Sequence, residues 1–166
     1  MPSPWGSKTF NSGGDISKMA ALDDLDQVIE LCQRALREFI KGNPEPMQMM
    51  FSHREDVTLA NPIAPPARGW EQVAPTMERA ASNLREGEIT SFETLANYVT
   101  PELAYIVWIE RNEGKLGGSE DIVRYPLRVT MVFRHEGGTW KIVHRHADPI
   151  TTPQPVESMI QEKVYP

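Results

Sequence analysis

The chain has 166 residues, 40% of them apolar, enough for one domain with a core of its own. Its formal net charge of −6 repels phosphate backbones and anionic lipid surfaces, so neither nucleic acid nor a membrane is an expected partner. A single cysteine, Cys32, rules out an internal disulfide and a zinc site built on cysteines, and no metal or cofactor is expected.

Residues 1–18 are rich in Pro, Ser and Gly and hold no apolar run long enough for a signal peptide or a membrane span. They predict a flexible tail and a cytoplasmic protein. The domain is expected over residues 19–150. Leu22, Leu25, Val28, Ile29, Cys32, Ala35, Leu36, Phe39 and Ile40 recur at steps of three and four, which places them on one face of a long helix, with Gly42 suited to its C-terminal cap. Cys32 lies within that stripe, so it reads as a buried thiol rather than a nucleophile. Met47, Met50 and Phe51 give a shorter second helix after Pro44.

Val57 and Leu59 alternate as in a strand, and Pro62, Pro65 and Pro66 mark the turn behind it. A third helix is expected from Gly69 and Trp70 through Val73, Met77, Ala80, Ala81 and Leu84, with a kink or a later start forced by Pro75. The rest is β-rich. Strands are expected over 88–100, 103–111, 121–135 and 139–149, separated by turns at Pro101, Gly117 with Gly118, and Gly137 with Gly138. Three helices followed by a meander of strands is an α+β order and excludes a doubly wound fold. Residues 151–166 read as a C-terminal tail.

Period-two alternation sets Trp140, Ile142, His144 and His146 on one face of the last strand and Val143, Arg145 and Ala147 on the other. Both faces are partly apolar. A domain of this size has helices for one side only, so the face carrying Trp140, Ile142 and His144 is the expected surface of a homodimer. His146 and Asp148 are in phase on that strand and are the remaining acid/base candidates, although their phase turns them away from the helices. A hydrogen-bonded pair at a sheet face or an interface is the plainer reading of His144 and His146. The chain has no glycine-rich phosphate loop in strand-to-helix context and no Gly-x-Ser-x-Gly elbow.

The stretches Leu103-Ala-Tyr-Ile-Val-Trp-Ile-Glu110 and Arg128-Val-Thr-Met-Val-Phe-Arg-His-Glu-Gly-Gly-Thr-Trp-Lys-Ile-Val-His-Arg-His146 resemble the central strand and final hairpin of SnoaL-like and ketosteroid-isomerase-like proteins. These belong to the nuclear-transport-factor-2-like superfamily, which also includes the association domain of calcium/calmodulin-dependent kinase. The resemblance spans about residues 20–150. It implies a cone in which three N-terminal helices pack on a strongly curved, mixed but mostly antiparallel sheet around a pocket for a small, often apolar molecule.

By that resemblance the isomerase general base falls on Asn61, the oxyanion-hole tyrosine near Ala35 and its carboxylic-acid neighbour near Met131. An amide cannot take a proton at neutral pH and neither Ala35 nor Met131 donates a hydrogen bond, so the isomerase mechanism is not expected. The resemblance implies a pocket wall of Tyr105, Val107 and Ile109, then Met131 and Phe133, then Val143, Arg145 and Ala147, closed by Phe39, Phe51 and Trp70. Its polar groups would be Asn61, Tyr105 and Arg145. An arginine there must meet an anionic ligand or a resident acid such as Asp56 or Glu110, unless a strand bulge turns it outward. Two functions follow from these readings. One is a binder or isomerase-, cyclase- or hydratase-type enzyme for a small apolar molecule bearing a carbonyl or carboxylate; the other is a homodimeric assembly module with a vestigial pocket.

Overall fold

Apolar side chains three and four residues apart fold the first segment into helix α1, Asp15–Phe39. The computed structural model describes residues 15–162, with side chains from Asp24 onward, so residues 1–14 and 163–166 of the expected tails lie outside the described residues. Residues 15–18, also expected in the N-terminal tail, are helical instead; they contain no glycine or proline to stop a helix. Leu25, Cys32, Ala35 and Leu36 are buried along one face, while Asp24, Asp26, Glu30 and Arg34 are exposed. Burial of each leucine contributes about 1.5–3 kcal/mol. Gly42 ends the helix at φ +99° and donates its N–H to the Phe39 carbonyl.

Helix α2, Glu45–Met50, follows Pro44 and buries Met47. Strands β1, Thr58–Ala60, and β2, Ala67–Arg68, then pair across the proline-rich turn. Helix α3, Trp70–Ala81, buries Val73, Met77 and Ala81. It runs through Pro75 rather than starting after it: the missing N–H leaves only the Glu71 carbonyl without its helical donor, and that loss is tolerated where the apolar face is packed.

Five further strands complete one mixed sheet: β3, Leu84–Val99; β4, Leu103–Leu116; β5, Val123–Arg124; β6, Leu127–Glu136; and β7, Thr139–Asp148. The order is β2-β1-β7-β6-β4-β3, with β5 paired to β4. Only β1 and β7 run parallel. The expected strand over 121–135 is broken into β5 and β6 at Pro126, which has no N–H for the ladder. The sheet curves around α1. Where β3 passes the end of α1, a Cβ on Gly87 would lie 2.1 Å from the Ile40 carbonyl oxygen, so only glycine lets the strand cross the helix end.

Register decides which residues face the helices. On β4 the inward set is Ala104, Ile106, Trp108, Glu110 and Asn112, all buried, because Ala104, Ile106 and Trp108 pair with Phe133, Met131 and Val129 of β6. Tyr105 and Val107, expected in the pocket wall, therefore lie on the outer face, where Tyr105 pairs with Val132 and its ring stands 6.0 Å from that of Tyr98. Ile109 shares their phase.

A bulge in β7 overturns a second expectation. Val132 pairs with His144 but Phe133 pairs with Ile142, so Val143 is the extra residue and the strand changes face there. Before the bulge, Trp140 and Ile142 point inward and are buried in the core; after it, Arg145 and Ala147 do. Trp140 and Ile142 thus belong to the core of this subunit and not to a dimer surface. Val143 sits at the bulge, outside the pocket wall. No described helix is long and apolar enough to cross a membrane.

Candidate functional site

Between the helices and the concave face of the sheet lies a cavity of about 350 Å³. Leu36 and Phe39 of α1, Met47 of α2, the adjoining Phe51, and Met77 and Ala80 of α3 form the helical wall. Leu59, Leu127 and Ala147 form the sheet wall, and Asn61, Pro62, Ile63 and Pro149 line it where β1 and β7 end. Most of this surface is apolar. The exceptions besides Asn61 are Glu110, Asn112, Tyr125 and Arg145.

Glu110 and Arg145 face each other across β6. Arg145 donates from Nη1 to Glu110 Oε1 and from Nη2 to Oε2, both at 3.0 Å, and the Trp108 indole N–H donates to the same Oε1 at 3.0 Å. The side chains are 2% and 11% exposed for Glu110 and Arg145 respectively. A charge this deep requires a partner, and the two-point geometry supplies one for each ion. Arg145, for which either an anionic ligand or a resident acid was expected, has the resident acid.

Cys32 is buried with its Sγ 3.9 Å from Met131 Sδ. Burial pushes its thiol up to about 12; nearby Arg145 opposes that shift and Glu110 adds to it. It is therefore a neutral, inert thiol at physiological pH. Tyr125 is likewise pushed up to about 12, first by burial and then by the Glu110 charge, so its hydroxyl keeps its proton.

Asn112 follows Glu110 by two positions and faces the same way. Among the described residues, neither its amide nitrogen, nor its amide oxygen, nor the Tyr125 hydroxyl has a hydrogen-bond partner. Both residues line the cavity, but these atoms each have less than 1 Å² open to solvent. A ligand in the cavity would reach these atoms only after the Asn112 amide turned about its soft terminal torsion. Unpaired polar groups at such depth are rare and each costs about 1–3 kcal/mol.

The structure brings together some of the sequence-based candidates and scatters others. Phe39, Phe51, Asn61, Arg145 and Ala147 line the cavity. Asn61 has its Oδ1 engaged by the Ile63 N–H at 3.1 Å. Met131 lies beneath the cavity, fully buried against Cys32. Trp70 stacks on His53 with ring centroids 3.8 Å apart and is not part of the lining. His146 is exposed, and Asp148 holds Arg128 through two contacts of 3.1 and 2.8 Å; both are in the phase opposite to Arg145 and Ala147, away from the cavity. His144 accepts or donates at 2.8 Å to Thr58 Oγ1 on that same outer side. Among the described residues no group of three or more His, Cys, Asp or Glu is placed to hold a metal.

Asn112 and Tyr125 were missed by sequence reasoning. The signal for Asn112 was present: Glu110 and Asn112 continue in period two from Ala104, Ile106 and Trp108, so polar residues extend an apolar stripe. Tyr125 had no such signal, because its place depends on how the chain turns at Pro126.

A family model described as a SnoaL-like domain matches residues 28–151. No curated protein matches the chain. Among solved structures, a nuclear-transport-factor-2-like superfamily protein from Salmonella enterica superposes with a TM-score of 0.67 at 15% identity, covering 84% of this chain and 97% of that one. A provisionally named dehydratase of the same class from Streptomyces avermitilis gives 0.64 at 18% identity, covering 81% and 99%. A ketosteroid isomerase-like protein from Erwinia carotovora gives 0.62 at 12% identity, covering 79% and 97%. At these identities the likeness is one of fold, and it agrees with the mixed sheet and the three helices described above. The chain belongs to the SnoaL-like domain family, with the nuclear-transport-factor-2-like fold.

Proposed function

We propose that this protein binds a small, largely apolar molecule in the cavity, oriented by a hydrogen-bonding group directed at Asn112 and Tyr125. The observation that carries this reading is the pairing of a mostly apolar cavity of about 350 Å³ with unpartnered polar side chains on its wall. Small-molecule sites have this composition, an apolar lining with a few convergent polar groups, and span about 300–1,000 Å³. A compact ligand is implied.

The polar groups are better suited to holding a molecule than to removing its protons. Glu110 accepts from Arg145 twice and from Trp108, which engages three of the roughly four lone-pair sites of its carboxylate and holds it in an ion pair. Tyr125 can donate to a carbonyl oxygen, as can Asn112. Should the protein act as an isomerase-, cyclase- or hydratase-type enzyme, polarisation of such a carbonyl by these donors is the step this wall supports.

The competing reading, an assembly module with a vestigial pocket, draws on the Arg145–Glu110 pair but sits poorly with an open cavity. Dimer formation is compatible with either. The outer face offers Tyr98 and Tyr105, both exposed, with Val107, Val132 and His144 beside them, and a second copy of the chain is the proposed partner there.

Thermal-shift screening of compact apolar ketones and carboxamides tests the binding reading, with Ala147→Phe as the control. Ala147 lines the cavity, so the larger ring should fill it. Stabilisation of the wild type but not of a folded Ala147→Phe protein is the expected result; equal response of both places binding elsewhere.

A further inference from the structure

We infer that the ligand of this cavity is electrically neutral and presents a hydrogen-bond donor beside an acceptor, as a carboxamide, lactam or hydroxy ketone does. The inference rests on the binding reading above and narrows it: the carboxylate that Arg145 alone would invite is excluded by Glu110.

The charges facing the cavity sum to zero. Arg145 is the one cation among the lining residues and Glu110 the one anion, joined by two bonds of 3.0 Å. Cys32 is a neutral thiol and Tyr125 a neutral phenol. An anionic ligand would have to displace Glu110 from Arg145 and leave a carboxylate buried with only the Trp108 N–H. A cationic ligand would meet the converse repulsion from Arg145. Burial of either net charge in an apolar wall is strongly unfavourable.

The unpartnered atoms set the polar pattern. Asn112 offers an acceptor oxygen and a donor NH2 group side by side in the plane of its amide, both free among the described residues, and Tyr125 adds a hydroxyl that can act either way. A lone carbonyl satisfies the Asn112 nitrogen and leaves its oxygen unpaired. A group with donor and acceptor side by side satisfies both in one plane, so sites of this kind discriminate strongly against analogues that lack one of them.

Three probes of one shape separate the alternatives: naphthalene carboxamide, naphthalene carboxylate and ethylnaphthalene, titrated calorimetrically into the intact chain at neutral pH. The carboxamide is expected to bind about tenfold or more tightly than either of the others. Asn112→Leu should abolish that preference while keeping affinity for ethylnaphthalene. Tyr125→Phe should weaken carboxamide binding alone, and it guards against a folding defect in the first variant. Carboxylate binding as tight as the carboxamide overturns the neutral-ligand inference and leaves the binding reading standing. Equal binding of carboxamide and ethylnaphthalene overturns the donor–acceptor pattern. Failure of all three to bind overturns the binding reading and the inference with it.

Discussion

The Arg145–Glu110 pair allows a quantitative test of how this cavity is built. Arg145→Met removes the cation but keeps a side chain of similar reach. Glu110, 2% exposed, would retain the Trp108 N–H and no countercharge. Breaking a buried pair by removing one partner costs about 3–5 kcal/mol. Glu110→Leu should cost less, because Arg145 is 11% exposed and borders a cavity that can admit water. The double variant Glu110→Leu with Arg145→Met removes both charges and should lie within about 1 kcal/mol of wild type, since apolar replacements of a buried pair are often neutral or stabilising. Urea unfolding at neutral pH gives the three free energies and the coupling between the sites. For a chain of this size the single Arg145→Met change corresponds to a fall in Tm of roughly 6–20 °C. A single variant within about 1 kcal/mol of wild type, or a double variant as unstable as the summed singles, would refute the buried, mutually dependent pair.

Gly87→Ala places a methyl group against the Ile40 carbonyl at a distance no backbone atom tolerates, so differential scanning calorimetry should show a loss of about 3 kcal/mol, the upper end for overpacking. His144 has its pKa lowered by burial and then by His146, so the unfolded chain takes up its proton first as pH falls. Its contribution to stability is complete above about pH 6.5, the unfolded value, and is lost as pH drops toward the lower folded one. His144→Gln should therefore flatten the decline in Tm between neutral pH and pH 5, and an unchanged slope would remove His144 from the account. Tyr105→Asp with Val132→Asp puts charge on the proposed dimer face. Sedimentation should show the mass halve, whereas unchanged mass would move the interface elsewhere.

The α1 stripe was legible from spacing alone because a helix exposes its period directly: every described member of the predicted set, from Leu25 to Ile40, is buried or partly buried. Strand positions were legible as well, but the faces were not. Alternation says which residues share a side, and on β4 both sides are apolar, so nothing local chose Trp108 over Val107 for the interior. On β7 one extra residue at Val143 swaps sides within the strand, and a bulge has no signature in an alternating pattern unless a glycine marks it. Trp140 and Ile142 were misplaced on that account, while Arg145 and Ala147, beyond the bulge, were placed correctly by the same rule. The strand expected over 121–135 ran through Pro126, although a proline has no N–H for the ladder and does break it; that the break would bring Tyr125 to the cavity depends on pairing between β4 and β5, which is a tertiary fact.

The central claim is that the cavity takes a neutral ligand whose polar end meets Asn112 and Tyr125. A crystal structure of the protein soaked with naphthalene carboxamide tests it most directly. The account predicts the rings between Phe39, Met77 and Leu127, with the carboxamide about 2.7–3.2 Å from the Asn112 amide and the Arg145–Glu110 pair intact. A ligand with its polar group turned to Asn61 and Pro62, or one inserted between Arg145 and Glu110, would contradict it.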